Sequence, residues 1–248
     1  MHKITPETEL VVVGDIHAHL SQVKDLIKEA SPSSKRILVS VGDILDKGFP
    51  ETEKQDEIEI CNIFMELEKQ DAFLMVKGNH ELKRLRRIKK ESREPWLAWL
   101  GRHPLCNQFV FESGATVTVI HAGITPLATS EDLYRSTEVC YVRDVDPETG
   151  KMIPLIWKEI NNVKTLIKEK PGINWHELYP GKFGYIFSGH AANRDTGRAK
   201  YFKYSCNLDS SIYSSGNLTA RFVDGQGNLG KELIISGPFS NPDINVAY

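Results

Sequence analysis

The feature that most constrains this chain is a recurring unit: a short, β-branched apolar run that ends in glycine followed at once by Asp or Asn. Glu9-Leu10-Val11-Val12-Val13 leads into Gly14-Asp15-Ile16-His17, and Arg36-Ile37-Leu38-Val39-Ser40-Val41 into Gly42-Asp43-Ile44-Leu45-Asp46-Lys47-Gly48. A third run, Ala72-Phe73-Leu74-Met75-Val76, precedes Gly78-Asn79-His80-Glu81. Between the runs lie two helical patterns, Leu20 to Ile27 and Glu57 to Leu67, the first with Leu20, Val23, Leu26 and Ile27 on one stripe. This β-α-β-α-β order predicts a largely parallel sheet with right-handed crossovers. In such a sheet the carboxyl ends of the strands open into one crevice, so the three polar clusters should converge.

The second half is patterned differently. Strand-like runs at 107–111, 116–121, 183–188, 201–208, 217–223 and 231–236 are interrupted by one helical pattern around 155–169, and turn signals such as Asp146-Pro147-Glu148-Thr149-Gly150 punctuate them. A second, more antiparallel sheet packed on the first is expected. With 248 residues, 40% of them hydrophobic, and no repeat or convincing linker, the chain reads as a single domain over 1–248.

Two of the later runs end as the early ones do, in Ile120-His121-Ala122-Gly123 and Ser188-Gly189-His190-Ala191. The convergent set is then Asp15, His17, Asp43, Asn79, His121 and His190. These are nitrogen and oxygen donors with no thiolate, which suits borderline divalent metals, with Mn²⁺ leading and Zn²⁺ or Fe as the other candidates. Six donors are too many for one open catalytic ion. They fit two ions sharing a carboxylate, the arrangement that clamps the attacking and leaving oxygens of a phosphoryl displacement.

The ordered series GDIHAH, GDILDKG, GNHE, HAG and GH resembles the calcineurin-like metallophosphoesterase family, and more closely its phosphoprotein phosphatase branch with bacterial and phage relatives. The likeness runs from Asp15 to about Arg221. It implies a four-layer α/β/β/α sandwich of two mixed sheets flanked by helices. It also implies a metallophosphoesterase in which Asp15, His17 and Asp43 hold one ion, and Asp43 bridges to a second held by Asn79, His121 and His190. A metal-bridging hydroxide is then the nucleophile, His80 protonates the leaving oxygen, Asp46 orients His80, and Lys47 and Arg143 grip the phosphate. The chain departs from the usual pattern at Lys47, where arginine is common, at Ala18, where glycine is common, and at Asp209-Ser210-Ser211 in place of Asp-Thr-Gly. A lysine is a point charge and lacks the planar fork of arginine, so a weaker phosphate grip is expected.

Asp46 leans the resemblance toward hydrolysis of phosphomonoesters in the manner of serine/threonine protein phosphatases. Pro171-Gly172-Ile173-Asn174-Trp175 and Tyr179-Pro180-Gly181-Lys182-Phe183-Gly184 keep open the alternative of a symmetrical dinucleoside polyphosphate (Ap4A-type) hydrolase or a nucleic-acid-end phosphatase. The expected partner is a phosphorylated protein or a small phosphoester or nucleotide. Nucleic acid is disfavoured by the formal charge of −2, no apolar run reaches the roughly 18 residues of a membrane span, and no signal-peptide core opens the chain, so a cytoplasmic protein is expected. The sequence leaves the oligomeric state open.

Other signals read as structural. The four cysteines form no CxxC pair and are expected to be inert thiols. Lys83-Arg84-Leu85-Arg86-Arg87-Ile88-Lys89-Lys90 reads as a solvated helix face, Trp96 and Trp99 as packing residues, His19 as a neighbour of the site, and His2, His103 and His176 as surface or packing residues. Gly225-Gln226-Gly227-Asn228-Leu229-Gly230 matches a dinucleotide fingerprint but sits between two strand patterns, so a hairpin turn is expected.

Overall fold

The computed structural model describes residues 1–87, 94–160 and 163–240. In chain order its strands are β1 (His2–Ile4), β2 (Glu9–Val13), β3 (Arg36–Ser40), β4 (Phe73–Met75), β5 (Cys106–Phe111), β6 (Thr116–Ile120), β7 (Asp144–Val145), β8 (Leu155–Ile160), β9 (Val163–Lys168), β10 (Ile173–Asn174), β11 (Tyr185–Ser188), β12 (Lys200–Tyr201), β13 (Ser205–Asn207), β14 (Asn217–Val223) and β15 (Leu229–Ser236). The α-helices are α1 (Leu20–Ala30), α2 (Glu53–Lys69), α3 (Asn79–Arg87), α4 (Pro95–Arg102), α5 (Ser130–Arg135), α6 (Trp175–Leu178) and α7 (Ile212–Ser215). One large sheet has the order β15-β14-β2-β3-β4 and the other β1-β5-β6-β11-β13-β12.

Alternation along the central strands builds the layers. In β2, Val11 and Val13 join Leu38, Phe73, Met75 and Ala220 in a core covered by α1, α2 and α4, whereas Leu10 and Val12 face the core between the sheets. From the other sheet Phe109, Val117, Val119 and Phe187 meet them there. Ile120 and Ile186 point outward, into a third core with Leu133 of α5 and Trp175 of α6. The result is helices, sheet, sheet, and an outer layer of short helices and loops. Because β2 is buried on both faces, its near-continuous apolar run is what a central strand of such a sandwich requires.

Four features depart from the sequence expectation. The first sheet is parallel only over β2-β3-β4, since the closing hairpin β14-β15 joins it through an antiparallel β14-β2 pair. The second sheet is less antiparallel than expected: β1-β5, β6-β11 and β11-β13 are parallel. The run at 201–208 is divided between β12 and β13. Most plainly, the pattern at 155–169 is no helix but the hairpin β8-β9, which forms a two-stranded sheet of its own. Ile156, Ile160, Val163 and Ile167 recur at the spacing of a helical stripe, and in the hairpin the same four become the cross-strand partners Ile156↔Ile167 and Ile160↔Val163. Periodicity is identical for the two solutions and does not tell them apart.

Residues 224–228 form the turn between β14 and β15, with the Gly227 amide donating to the Asp224 carbonyl, so the glycine-rich segment is a hairpin connection. Trp96 and Trp99 are buried on α4 against the helix-covered core. The four cysteines are free and buried, and burial pushes the Cys106 thiol up to about 12. The last three residues of the basic run, 88–90, lie outside the described residues. Among the described residues no helix is long and apolar enough to cross a membrane.

Candidate active site

The carboxyl ends of two parallel strand triplets, β2-β3-β4 in one sheet and β6-β11-β13 in the other, abut at one edge of the sandwich, and their loops are stitched together by backbone. The amides of Ile16 and His17 donate to the Asp43 carbonyl and that of Ala18 to Ile44, while the Gly189 amide donates to the His121 carbonyl and that of Leu208 to Ser188. The turns are tight. Among the described residues nine non-glycine positions have positive φ, and six of them, His17, Ala18, Asp43, Asp46, Lys47 and His190, lie in these loops. Each such conformation costs on the order of 1–3 kcal/mol and persists only where surrounding contacts hold it. Ala18, at φ 56, occupies a left-handed position that explains why glycine is common there.

Side chains converge accordingly. His17 Nε2 lies 3.8 Å from Asp15 Oδ2, and His121 Nε2 lies 3.3 Å from Asp43 Oδ2. Asn79 Oδ1 is 2.9 Å from His121 Nε2 and 2.8 Å from His190 Nδ1. Two glycines make room for the carboxylates: a Cβ on Gly189 would fall 1.8 Å from Asp15 Oδ1, and one on Gly78 would fall 2.1 Å from Asp43 Oδ1. The structure thus gathers Asp15, His17, Asp43, Asn79, His121 and His190 at one place, with Lys47 Nζ 3.3 Å from His17 Nε2 and an Arg143 guanidinium nitrogen donating to the His190 carbonyl at 3.2 Å.

The electrostatics of this cluster are unbalanced. Burial, and then the charge of Asp209, push the Asp15 carboxyl well above the ordinary carboxylate range. Burial acts in the same direction on Asp43, but the nearby His121 and His80 rings outweigh it and hold that carboxyl well below its usual value. His121 is driven up to about 9 against the effect of its own burial, chiefly by Asp43. Burial keeps His17 and His190 neutral, with Lys47 and Arg143 respectively adding to the effect.

This donor set fits divalent cations. His17 and His121 each commit Nδ1 to a backbone carbonyl, that of Leu45 at 3.1 Å and of Val41 at 2.9 Å, which turns Nε2 toward the carboxylates. That is how ligating histidines are oriented. Two donor groups each lie within a few ångströms, His17, Asp43 and His80 in one and Asp43, His121 and His190 in the other, with Asp43 common to both.

His80, in the first turn of α3, donates its Nδ1 hydrogen to Asp46 Oδ2 at 2.6 Å, leaving Nε2 3.8 Å from Asp43 Oδ2. Several further groups pack around this pair, none of them given a part in the chemistry from the sequence. Glu81 accepts from the amides of Asp43, Ile44 and Gly78, tying the second strand end to the third. Asp209, after β13, is buried near Asp15. Tyr213 presents its ring edge-on to His17 and its face to Lys47 Nζ at 4.5 Å. Arg84, placed by the sequence on a solvated face, instead turns inward to Asp46 and Glu57. Its position four residues after His80, on the same helix face, was the available clue.

The cluster lines a cleft of about 850 Å³ together with Lys47, Arg143, Tyr141, Ile153 and Leu155. His19 is buried beside it with Nδ1 on the His17 carbonyl, and His103 and His176 pack elsewhere against Trp99 and Trp175. His2 stacks on Phe109.

The family model for calcineurin-like phosphoesterases matches residues 8–202. The catalytic subunit of serine/threonine-protein phosphatase 4 from Candida glabrata is 24% identical over 168 residues, 64% of this chain and 52% of that protein. The chain therefore spans about half the length of the curated relative it matches. Among solved structures, a protein assigned as a diadenosine tetraphosphatase superposes with a TM-score of 0.67 at 24% identity, covering 94% of this chain and 96% of the other. A serine/threonine phosphatase from Saccharomyces cerevisiae, similar to human PP5, superposes at 0.51 with 15% identity, covering 98% of this chain and 85% of the other. At these identities both share the fold.

Proposed function

The chain belongs to the calcineurin-like phosphoesterase family, and from that premise we propose that it hydrolyses phosphate monoesters with the help of two divalent cations. Asp15, His17 and Asp43 would hold one cation and Asp43, Asn79, His121 and His190 the other; Mn²⁺ leads for this set, with Zn²⁺ or Fe as alternatives. When bound, such ions supply Lewis acidity and an acidified water as nucleophile. The protein's own part is positioning and proton transfer. Lys47, beside His17, and Arg143, beside His190, bind the phosphate oxygens, and the loops of both sheets fix the donors.

The observation that carries the reading is the His80–Asp46 pair at 2.6 Å, whose free Nε2 faces the same space as the shared carboxylate of Asp43. A proton held there serves an alkoxide leaving group, which a serine or threonine phosphoester or a small phosphomonoester has. The core shared between the two sheets supports one domain, and four free, buried cysteines support a reducing, cytoplasmic setting.

The test is Mn²⁺-dependent hydrolysis of p-nitrophenyl phosphate, then of a phosphothreonine peptide against diadenosine tetraphosphate at equal concentration. Turnover abolished by Asp43→Asn, with a preference for the peptide, is expected. Absence of turnover overturns the reading, and a strong preference for the dinucleotide replaces it with the polyphosphate hydrolase.

A further inference from the structure

Arg84 stands at the centre of a half-buried ion-pair relay that ends on His80. One guanidinium nitrogen donates to Asp46 Oδ1 at 2.7 Å and to Glu57 Oε1 at 2.9 Å, and the other donates to Glu57 Oε2 at 2.9 Å. Glu57 lies on α2, is 1% exposed, and also accepts the Asp46 amide at 2.9 Å. Asp46 is thus held from two sides: Oδ1 by the guanidinium and its backbone by Glu57, while Oδ2 receives His80. The Trp96 ring, 6.0 Å from the guanidinium carbon, backs the arrangement. Asp46 has φ 60, a conformation that an aspartate keeps only where its surroundings impose it.

An arrangement that serves stability alone has no need of this direction. A carboxylate with one oxygen on a fixed guanidinium and the other on an imidazole cannot swing, so the ring it holds has one orientation and one tautomer, with Nε2 toward Asp43. A lysine would hold it less rigidly, because its ammonium is a point charge on a flexible stem, whereas the planar fork grips Glu57 with two nitrogens while one of them also holds Asp46. Lys83 also approaches Asp46, at 3.8 Å, but its side chain is half exposed and offers a point charge only.

We propose that Arg84 is a positioning residue for proton delivery to the leaving group: it fixes Asp46, which fixes His80. This rests on the phosphomonoesterase reading and on His80 as the acid.

The test compares two esters in the Mn²⁺-loaded full chain. Phenyl phosphate leaves as a basic phenoxide that needs a proton; 2,4-dinitrophenyl phosphate leaves without one. In Arg84→Met, kcat for phenyl phosphate should fall about tenfold or more, with KM unchanged, and kcat for the dinitrophenyl ester should fall less than about twofold. Arg84→Lys should recover part of the phenyl phosphate rate, and in a His80→Asn background Arg84→Met should add less than about twofold. Because Arg84→Met alone leaves Glu57 buried without its partner, the double variant Glu57→Gln/Arg84→Met, which removes that charge, repeats the comparison. Equal slowing of both esters, or none of either, overturns the proposal while leaving the phosphatase intact. Failure of the wild type to hydrolyse either ester overturns the functional reading and this proposal with it.

Discussion

Asp15 and Asp43 occupy their places because the residues facing them have no side chain. A Cβ on Gly189 would lie 1.8 Å from Asp15 Oδ1, and the His190 amide that follows donates to both oxygens of the same carboxylate at 3.1 Å. The Gly189→Ala chain must therefore turn Asp15 away or pull the His190 loop outward. Either movement disturbs one end of the donor set, and the added Cβ, 2.9 Å from Val41 Cγ2, also presses on one side chain of the core between the sheets, while the strands themselves are kept. We expect Gly189→Ala to bind Mn²⁺ about 10–100-fold more weakly in a calorimetric titration, the size typical of disturbed support around a metal ligand, with an unchanged far-ultraviolet dichroism spectrum. Unaltered affinity would show that Asp15 is dispensable for binding. At this scale the residues legible in the sequence were those repeated at strand ends, since a glycine beside a donor is a local pattern. Arg84 and Glu57 were not legible, because each gets its role from a partner far away in the chain, as Arg84 does from Glu57 and Asp46.

Elements follow the same division. The order β2-α1-β3-α2-β4 could be read because each strand is buried on both faces and each helix has one apolar stripe. The hairpin β8-β9 could not be read by period, because Ile156, Ile160, Val163 and Ile167 satisfy a helical stripe and a pair of facing strands equally. Among the described residues its strands pair only with each other, and its base is fixed by the Glu169 amide on the Pro154 carbonyl and by Lys168 on Asp144 at 2.5 Å. A two-stranded hairpin is marginal by itself and adds little to the cores it does not join. Replacing residues 156–167 with a short Gly-Asn turn, which keeps Leu155 and Lys168, should cost less than about 1 kcal/mol and so lower the melting temperature by less than about 4 °C for a chain of this size. Thermal denaturation followed by circular dichroism checks this. Loss of the cooperative transition would mean that the hairpin is part of the core.

For the whole molecule, the formal charge of −2 averages strongly unequal surroundings. Two neutral histidines illustrate how those surroundings reach global stability, one on each side of the sandwich and both far from the carboxylate cluster in their contacts. His103, at the end of α4, packs edge-on against Trp99, and burial lowers it to about 4. His176, on α6, is stacked between Trp175 and Phe202, and burial, with a smaller contribution from Lys200, lowers it to about 3. In the unfolded chain both return to the ordinary value near 6.5 and take up protons that the folded state refuses. Stability is therefore full above about pH 6.5 and is lost as the pH falls from there toward 4 and 3, at about 1.4 kcal/mol per pH unit for each group. Metal release at low pH would add to this loss, so the measurement belongs in chelator-treated protein. Between pH 6.5 and 5, urea denaturation of His176→Gln should show a loss smaller than that of the wild type by about 2 kcal/mol. The variant gives up some stacking, which lowers its curve at every pH without changing the slope, so slope and offset separate. Parallel curves for the two proteins would mean that His176 takes up its proton in the folded state, in contradiction to its burial between two aromatic rings.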